Sequence, residues 1–299
     1  MIYVKLEISD ERGRNMIERA YLEIGNICNL ACSFCHGTRR APRQMSGDEF
    51  RLVLSRLSGK VKNIYLHLMG EPFYHPELFS FLEIARDFDF RISITTNGSL
   101  LDGTADKLCS FSDIVHKVSI SLHAPEANGV RDFSQYLGCV IDFTQKISSS
   151  GIYAVMRLWN LDSAEREGKN SFNKEILEFI KESFPEPWQS RPSGFRIDRN
   201  IFLEYAEIFT WPEDSKDEPR EHGFCHALSQ QIGILADGSV VPCCLDAEGS
   251  MVLGNIFKQE LDDIMSSERA DSMRKGFIQS RLTEPLCRTC SYSKRFKAK

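Results

Sequence analysis

Six short apolar runs separated by segments of helical period predict an α/β fold with a parallel sheet covered by crossover helices. The count falls short of eight, which predicts a partial (β/α)6 TIM-like barrel in place of a closed one. Two further apolar runs around Asp237-Gly238 predict a small C-terminal unit of β-hairpin and helix.

The elements follow in order. Arg19 to Gly25 (RAYLEIG) reads as the first strand. Met45 to Gly59 reads as a helix: Ser46 and Glu49 have capping-box spacing, Phe50, Val53, Leu54 and Leu57 form an apolar stripe, and Gly59 stops it. Lys62 to Leu68 is the second strand. Pro76 to Phe88 is a helix opened by a first-turn proline, with Leu78, Phe81, Leu82, Ala85 and Phe88 on one side. Phe90 to Thr96 and Ile114 to Leu122 are the third and fourth strands, with a short helix near Leu101 to Phe111 between them. Phe133 to Ile147 is helical, Ile152 to Trp159 is the fifth strand, Phe172 to Phe184 a helix and Phe195 to Phe202 the sixth strand. Each run reads as apolar on both faces. From Trp211 to His222 the sequence turns polar (WPEDSKDEPREH), which predicts a linker whose charges from Glu213 to Glu221 face solvent. Ile232 to Cys243 is the hairpin and Gln259 to Lys275 a helix. The expected division is a barrel over 1–210, a linker over 211–224 and a C-terminal unit over 225–299. Ligand sites belong on the loops that leave the carboxyl ends of the strands.

The formal net charge is −5, so no global basic field recruits nucleic acid or an anionic membrane. No apolar run reaches bilayer-spanning length, and the opening MIYVKLEISDERGRNM lacks the apolar stretch of a signal peptide. A cytoplasmic location is expected. In that reducing compartment ten cysteines need a role other than structural disulfides.

Cys28, Cys32 and Cys35 (CNLACSFC) lie directly after the first strand with CxxxCxxC spacing. Three thiolates on one loop can take three corners of a cubane cluster and leave one iron open, as catalytic metal centres do. The zinc alternative is disfavoured, since zinc prefers two CxxC pairs and no fourth ligand lies nearby. Cys225, Cys243, Cys287 and Cys290 form a second group, CX12GX4C across the hairpin followed by CxxC. Four thiolates close a cluster completely, although a structural zinc site could use the same residues. Cys244 could replace Cys243; the glycine spacing favours Cys243, and strand alternation would turn Cys244 to the other face. Cys109 and Cys139 sit in helical patterns and read as inert thiols. No phosphate loop, nucleophile elbow or HExxH motif is present.

Further residues accompany the first group. Phe34 precedes its last cysteine, Met69-Gly70-Glu71-Pro72 ends the second strand, Thr96-Asn97-Gly98 follows the third, and Ser119 and Ser121 lie on the fourth. In this order, over roughly Ala20 to Tyr205, the sequence resembles the radical S-adenosylmethionine (radical SAM) enzymes. The resemblance implies a 4Fe-4S cluster whose open iron holds SAM and whose electron releases a 5'-deoxyadenosyl radical that takes a substrate hydrogen. It further implies that Phe34 packs by the adenine and that Gly70 and Glu71 belong to the motif for the methionyl amino group, with Met69 in place of that motif's first glycine. Asn97, Ser119, Ser121, Arg157 and Asn160 are the other implied contacts. The second cysteine group resembles the SPASM and twitch auxiliary-cluster domains. A full SPASM domain needs further cysteines after its CxxC, and nine residues follow Cys290, so the one-cluster twitch form is expected.

Two 4Fe-4S clusters and SAM are thus the implied cofactors, with a flavodoxin- or ferredoxin-type electron donor and a small-molecule or peptide substrate as partners. The expected function is a radical SAM oxidoreductase that oxidises a small polar substrate, with the auxiliary cluster as electron acceptor. One rival is a peptide-modifying maturase or epimerase; the other is a non-catalytic iron-sulfur or zinc-binding protein. His123, Arg157 and Glu204 are the candidate proton acceptors, and His67, Trp159 and Arg196 are expected at the same mouth.

Overall fold

The structure, a computed structural model, describes residues 16–129, 133–161, 171–207 and 210–296, without the side chains of residues 160, 161 and 171. The contact expected of Asn160 and the first fifteen residues of the expected barrel lie outside the described residues. The strands are β1 (Ile17–Leu22), β2 (Val61–Leu66), β3 (Arg91–Thr96), β4 (Val115–Ser121), β5 (Tyr153–Leu161), β6 (Gln189–Arg191), β7 (Gly194–Asp198), β8 (Ile201–Glu207), β9 (Gln231–Ile234), β10 (Ser239–Val241) and β11 (Gly254–Asn255). The helices are α1 (Gly47–Leu57), α2 (Leu78–Ala85), α3 (Ala105–Cys109), α4 (Ala124–Ala127), α5 (Ser134–Ser149), α6 (Ser171–Ser183), α7 (Leu261–Met265), α8 (Glu268–Ile278) and α9 (Pro285–Thr289).

The eleven strands of the described residues form one open sheet in the order β11-β10-β9-β1-β2-β3-β4-β5-β8-β7-β6. From β9 to β8 every neighbouring pair is parallel, so the barrel is partial, as expected. The hairpin does not make a sheet of its own: β9 pairs with β1, Arg19 opposite Gln231 and Leu22 opposite Ile234. Gly238 makes its turn at φ 81°, where a Cβ would lie 2.6 Å from the Phe257 ring. Among the described residues no helix is long and apolar enough to cross a membrane.

Helix α1 shows how local chemistry builds the outer layer. The Ser46 hydroxyl accepts from Glu49 N at 3.3 Å and the Glu49 carboxylate accepts from Ser46 N at 2.9 Å, a reciprocal cap worth about 1 kcal/mol. Its predicted stripe is buried, and Phe50 stacks on Phe81 of α2 with 4.4 Å between ring centroids. On the sheet, Leu22, Ile64, Ile92, Val118 and Met156 pack beneath the helices, and each is fully buried. The alternate positions carry Arg19, Tyr21, Tyr65, His67, Lys117 and Arg157, which line an internal cavity. The inner face of the sheet is therefore polar, contrary to the sequence reading, because a partial barrel encloses a chamber and not a second hydrophobic core.

Three other expectations are corrected. The sixth parallel strand is β8, not Phe195 to Phe202. The chain turns after Asp198, whose carboxylate accepts from Arg199 N at 2.6 Å, and β7 runs antiparallel to β8. Arg196 consequently leaves the mouth: its Nε donates to the carbonyls of Asp198 (3.2 Å) and Arg199 (3.0 Å). The helix expected over Gln259 to Lys275 is two helices, because Ser267 adopts an extended conformation and caps α8 by accepting from Ala270 N. The segment after Trp211 is docked at its start and not simply solvated. Pro212 is buried, its carbonyl accepts from the Thr289 hydroxyl (3.3 Å), and Trp211 Nε1 donates to Phe34 O (3.2 Å).

Candidate active site

The first cysteine loop leaves the carboxyl end of β1. Cys28 and Cys35 are exposed and Cys32 is half-buried. Backbone and amide donors are aimed at the sulfurs: Leu30 N at Cys28 (3.5 Å), Gly37 N at Cys35 (3.4 Å), Asn97 Nδ2 at Cys28 (3.8 Å) and Asn128 Nδ2 at Cys32 (3.2 Å). Donors of this kind stabilise thiolate and tune a cluster held by it. Asn128 also accepts from Ala31 N at 3.0 Å and donates to Ala124 O at 2.7 Å, so it pins the loop to α4. Nothing in the sequence near the cysteines points to Asn128. Its position as the cap that follows a short helix is the one available signal.

The turn after β2 meets this loop closely. Gly70 has φ 77°, and a Cβ there would lie 2.2 Å from Gly25 O, so the position admits glycine alone. The replacement of the preceding glycine by Met69 costs no such contact; Met69 is buried, and the strained residue is Leu68, at φ 131°. The Glu71 carboxylate is buried and already occupied, accepting from Thr96 Oγ1 (2.7 Å), Asn97 N (2.7 Å) and Phe73 N (3.0 Å). Its side chain thus ties the β2 and β3 turns together. The Tyr136 hydroxyl does the same for β3 and β4, donating to Asn97 O (2.9 Å) and lying 3.3 Å from Ser121 O. Ser121 lines the cavity, whereas the Ser119 hydroxyl is buried without a hydrogen-bond partner.

The second cysteine group is assembled from distant segments. Cys225, Cys243, Cys287 and Cys290 all face one cavity of about 480 Å³, which reaches Phe34 and Cys35 at its other end. Cys244 faces it too, correcting the expected opposite orientation. Strand β10 ends at Val241, so the alternation that would separate the two thiols no longer applies. Burial raises the thiol pKa at all four of the group, so four thiolates together there need the positive charge of a metal centre. Arg220 holds the CxxC turn through Cys290 O and the Ser293 hydroxyl, both at 2.9 Å.

A buried clasp joins the two groups. The Glu23 carboxylate accepts both Arg40 donors (2.8 and 2.7 Å), Ala236 N (3.0 Å) and Met69 N (3.3 Å), while Arg40 Nε donates to Ala247 O (2.8 Å). His36 lies 2.7 Å from Asp214 and 3.9 Å from Glu248. The loop that follows Cys35 is thereby fastened to the hairpin and to the segment that follows Trp211.

The acid-base candidates separate in space. His123 packs its ring 4.7 Å from that of Phe34, with Nδ1 3.3 Å from Arg157 O. Burial pulls its pKa down to about 4, and burial beside Arg157 does the same to His67. Both rings are neutral at pH 7. Arg157 lies over the Trp159 ring (4.3 Å) with its Nε 3.7 Å from Glu204. Glu204 does not line the cavity; it is the counter-ion of Arg157.

All ten cysteines are free thiols. Seven of them, soft sulfur donors in groups of three and four, fit two iron-sulfur centres by chemistry. Among the described residues no three His, Cys, Asp or Glu side chains are close enough to share one metal ion. A cubane instead asks each thiolate for an iron of its own.

Comparison with known proteins places two domains along the chain. Residues 22–166 match the radical SAM superfamily model, and residues 225–291 match the SPASM iron-sulfur cluster-binding domain. A tungsten-containing aldehyde ferredoxin oxidoreductase cofactor-modifying protein of Pyrococcus furiosus is 33% identical over 311 residues, covering 91% of this chain and 86% of that one. A probable GTP 3',8-cyclase of Sulfurisphaera tokodaii is 30% identical over 119 residues, and there the match spans 38% of this chain and 37% of the cyclase. Among solved structures, BtrN in complex with AdoMet and 2-DOIA superposes with a TM-score of 0.59 at 19% identity, over 92% of this chain and 93% of BtrN. Streptococcus suis SuiB bound to the precursor peptide SuiA superposes with a TM-score of 0.56 at 17% identity, over 92% and 71%. A radical SAM domain binds a 4Fe-4S cluster and SAM, and a SPASM domain binds auxiliary iron-sulfur clusters. On its two matched domains and a relative aligned along nearly its whole length, the chain belongs to the radical SAM superfamily and carries a C-terminal SPASM iron-sulfur domain.

Proposed function

We propose that the chain is an oxidoreductase that removes two hydrogens from a small polar substrate held between its two cysteine groups. One observation carries the reading: a single cavity is bounded by Phe34 and Cys35 at one end and by Cys225, Cys243, Cys287 and Cys290 at the other. When bound, the cluster on Cys28, Cys32 and Cys35 with SAM supplies a 5'-deoxyadenosyl radical, and one cluster on the other four cysteines supplies an electron acceptor. Phe34 and His123 shape the wall where the adenosyl group belongs, and Gly70 opens the backbone beside it. Asn97 and Ser121 stand on the same rim, whereas Glu71 acts there as a positioning residue and Ser119 offers a hydroxyl with no other partner. His123, whose Nδ1 lies 3.3 Å from Arg157 O and 3.4 Å from Trp159 N, is the cavity residue we assign to accept the substrate proton. A flavodoxin- or ferredoxin-type donor in a cytoplasmic setting suits ten free thiols.

The test is mass and isotope balance in the reconstituted enzyme. Oxidation consumes one SAM per product, moves one substrate hydrogen into 5'-deoxyadenosine and lowers product mass by about two units. Absence of SAM cleavage under reducing, anaerobic conditions would instead favour a non-catalytic metal-binding protein.

A second reading, epimerisation or another peptide modification, gains support from Cys244. That thiol lines the cavity, unlike Cys109, which points to Lys146 O at 3.6 Å, and unlike Cys139. A thiol beside a substrate radical can return a hydrogen atom. The product would keep its mass in water and gain about one unit in deuterated water, and Cys244→Ser would abolish it.

A further inference from the structure

We infer that the substrate carries an anionic group, a carboxylate or a phosphate, which Lys117, Arg157 and Arg19 receive at the base of the cavity. The inference rests on the reading of that cavity as the substrate chamber. Three cations stand on its inner wall, on β1, β4 and β5. The Tyr65 ring lies between two of them, 5.9 Å from the Arg19 guanidinium carbon and 5.3 Å from Lys117 Nζ. Among the described residues that line the cavity there is no Asp or Glu. Glu204 reaches Arg157 from outside the lining at 3.7 Å, and its side chain is one-third exposed. The carboxylates that act on these cations, Glu204 on Arg157 and Lys117 and Glu18 on Arg19, thus stand outside the lining, and negative charge within it is confined to the cysteine thiolates.

Two further observations show that these cations are only partly satisfied by Glu204 beside Arg157 and Tyr21 beside Arg19. Arg19 Nε and Arg157 Nε are buried without a hydrogen bond. Burial, reinforced by Arg157, pulls the Lys117 pKa down to about 8, as expected of an ammonium crowded by its own sign. Enclosed charge with incomplete compensation is costly, and guanidinium Nε–H groups are the natural donors to carboxylate and phosphate oxygens. A neutral sugar would leave the cost in place. An anion removes it. His67 and Thr95 on the same wall offer neutral polar contacts for the remainder of the molecule.

The experiment uses reconstituted holoenzyme saturated with SAM, so that the SAM carboxylate site is filled, and titrates it at constant ionic strength with inorganic phosphate, acetate and glycerol. Saturable binding of phosphate or acetate, with none of glycerol, is expected, and the preferred anion tells phosphate from carboxylate. Lys117→Met should weaken that binding at least tenfold and Lys117→Arg should largely restore it. Equal response to all three probes overturns the inference, as does phosphate or acetate affinity in a folded Lys117→Met equal to that of wild type. If Lys117→Met does not fold, the comparison of probes on the wild-type enzyme still decides. 5'-Deoxyadenosine formation, measured on the same wild-type preparation, keeps the two readings apart: SAM cleavage without anion binding removes this inference alone, and anion binding without cleavage removes the enzymatic reading alone.

Discussion

The two cysteine groups solve opposite problems. Cys28, Cys32 and Cys35 lie within eight residues on one rim loop, with two of the three exposed. Cys225, Cys243, Cys287 and Cys290 come from three separate stretches of the C-terminal region and are partly buried around a cavity wall. A centre that must leave one iron for a cosubstrate needs ligands on an accessible loop, and it gains order from outside donors such as Asn97 and Asn128. A fully ligated centre has no such position to keep open and can be enclosed. Contiguity in sequence and exposure in space therefore go together in the first group, and neither holds in the second.

The largest effect that could break this contrast is on chemistry. Replacing Cys28, Cys32 and Cys35 with alanine should reduce 5'-deoxyadenosine to background, while the double change Cys287→Ala and Cys290→Ala should retain some cleavage and lose product. Iron content should fall from about eight to about four per chain in either variant; chromatography of the nucleoside and colorimetric iron assay give the answer. Product formed at the wild-type rate by the double variant would make the second centre structural.

The clasp between the groups comes next. Glu23→Gln leaves the half-buried Arg40 facing a neutral amide, so a loss of about 1.5–3 kcal/mol is expected, the range for a hydrogen bond to a charged group. Thermal melting of the anaerobic holoenzyme should show it, with the C-terminal region released first in proteolysis. An unchanged melting curve would mean that the two regions are held independently.

The chamber between them is acid-sensitive. His67 and His123 each have a folded-state pKa near 4, lowered by burial from an ordinary 6.5. The unfolded chain therefore binds more protons between these values, so stability is full above pH 6.5 and falls as pH drops towards 4, by roughly 3 kcal/mol for each ring at full protonation. Denaturant melts at pH 7 and pH 4.5 measure the slope, and His67→Gln should flatten it.

The smallest effect refines the first group alone. Asn128→Ala removes the donor to Cys32, and loss of a hydrogen bond to thiolate disfavours the reduced centre. Its potential should fall by roughly tens of millivolts. Spectroelectrochemistry reads the shift; an unchanged potential would limit Asn128 to holding α4 against the loop.

What was legible in the sequence was whatever depends on neighbours within a few residues. The capping box at Ser46 and Glu49, the stripe from Phe50 to Leu57, the turn at Asp237-Gly238 and the CxxxCxxC loop all follow from local periodicity, caps and ligand spacing. The same short-range logic misled where periodicity ran on through a break: apolar alternation continued past Arg199, and helical spacing continued past Ser267, hiding a turn and a cap. It also failed once a strand had ended, which is why Cys244 faces the cavity. The tertiary structure alone decided which distant residues meet. Asn128 reaches Cys32 across 96 positions, Glu23 reaches Ala236 across 213, and Arg19, Lys117 and Arg157 converge through parallel register. Such pairings are set by the closure of long loops around a shared sheet, a free-energy balance summed over the whole chain, and no window of a few residues contains it.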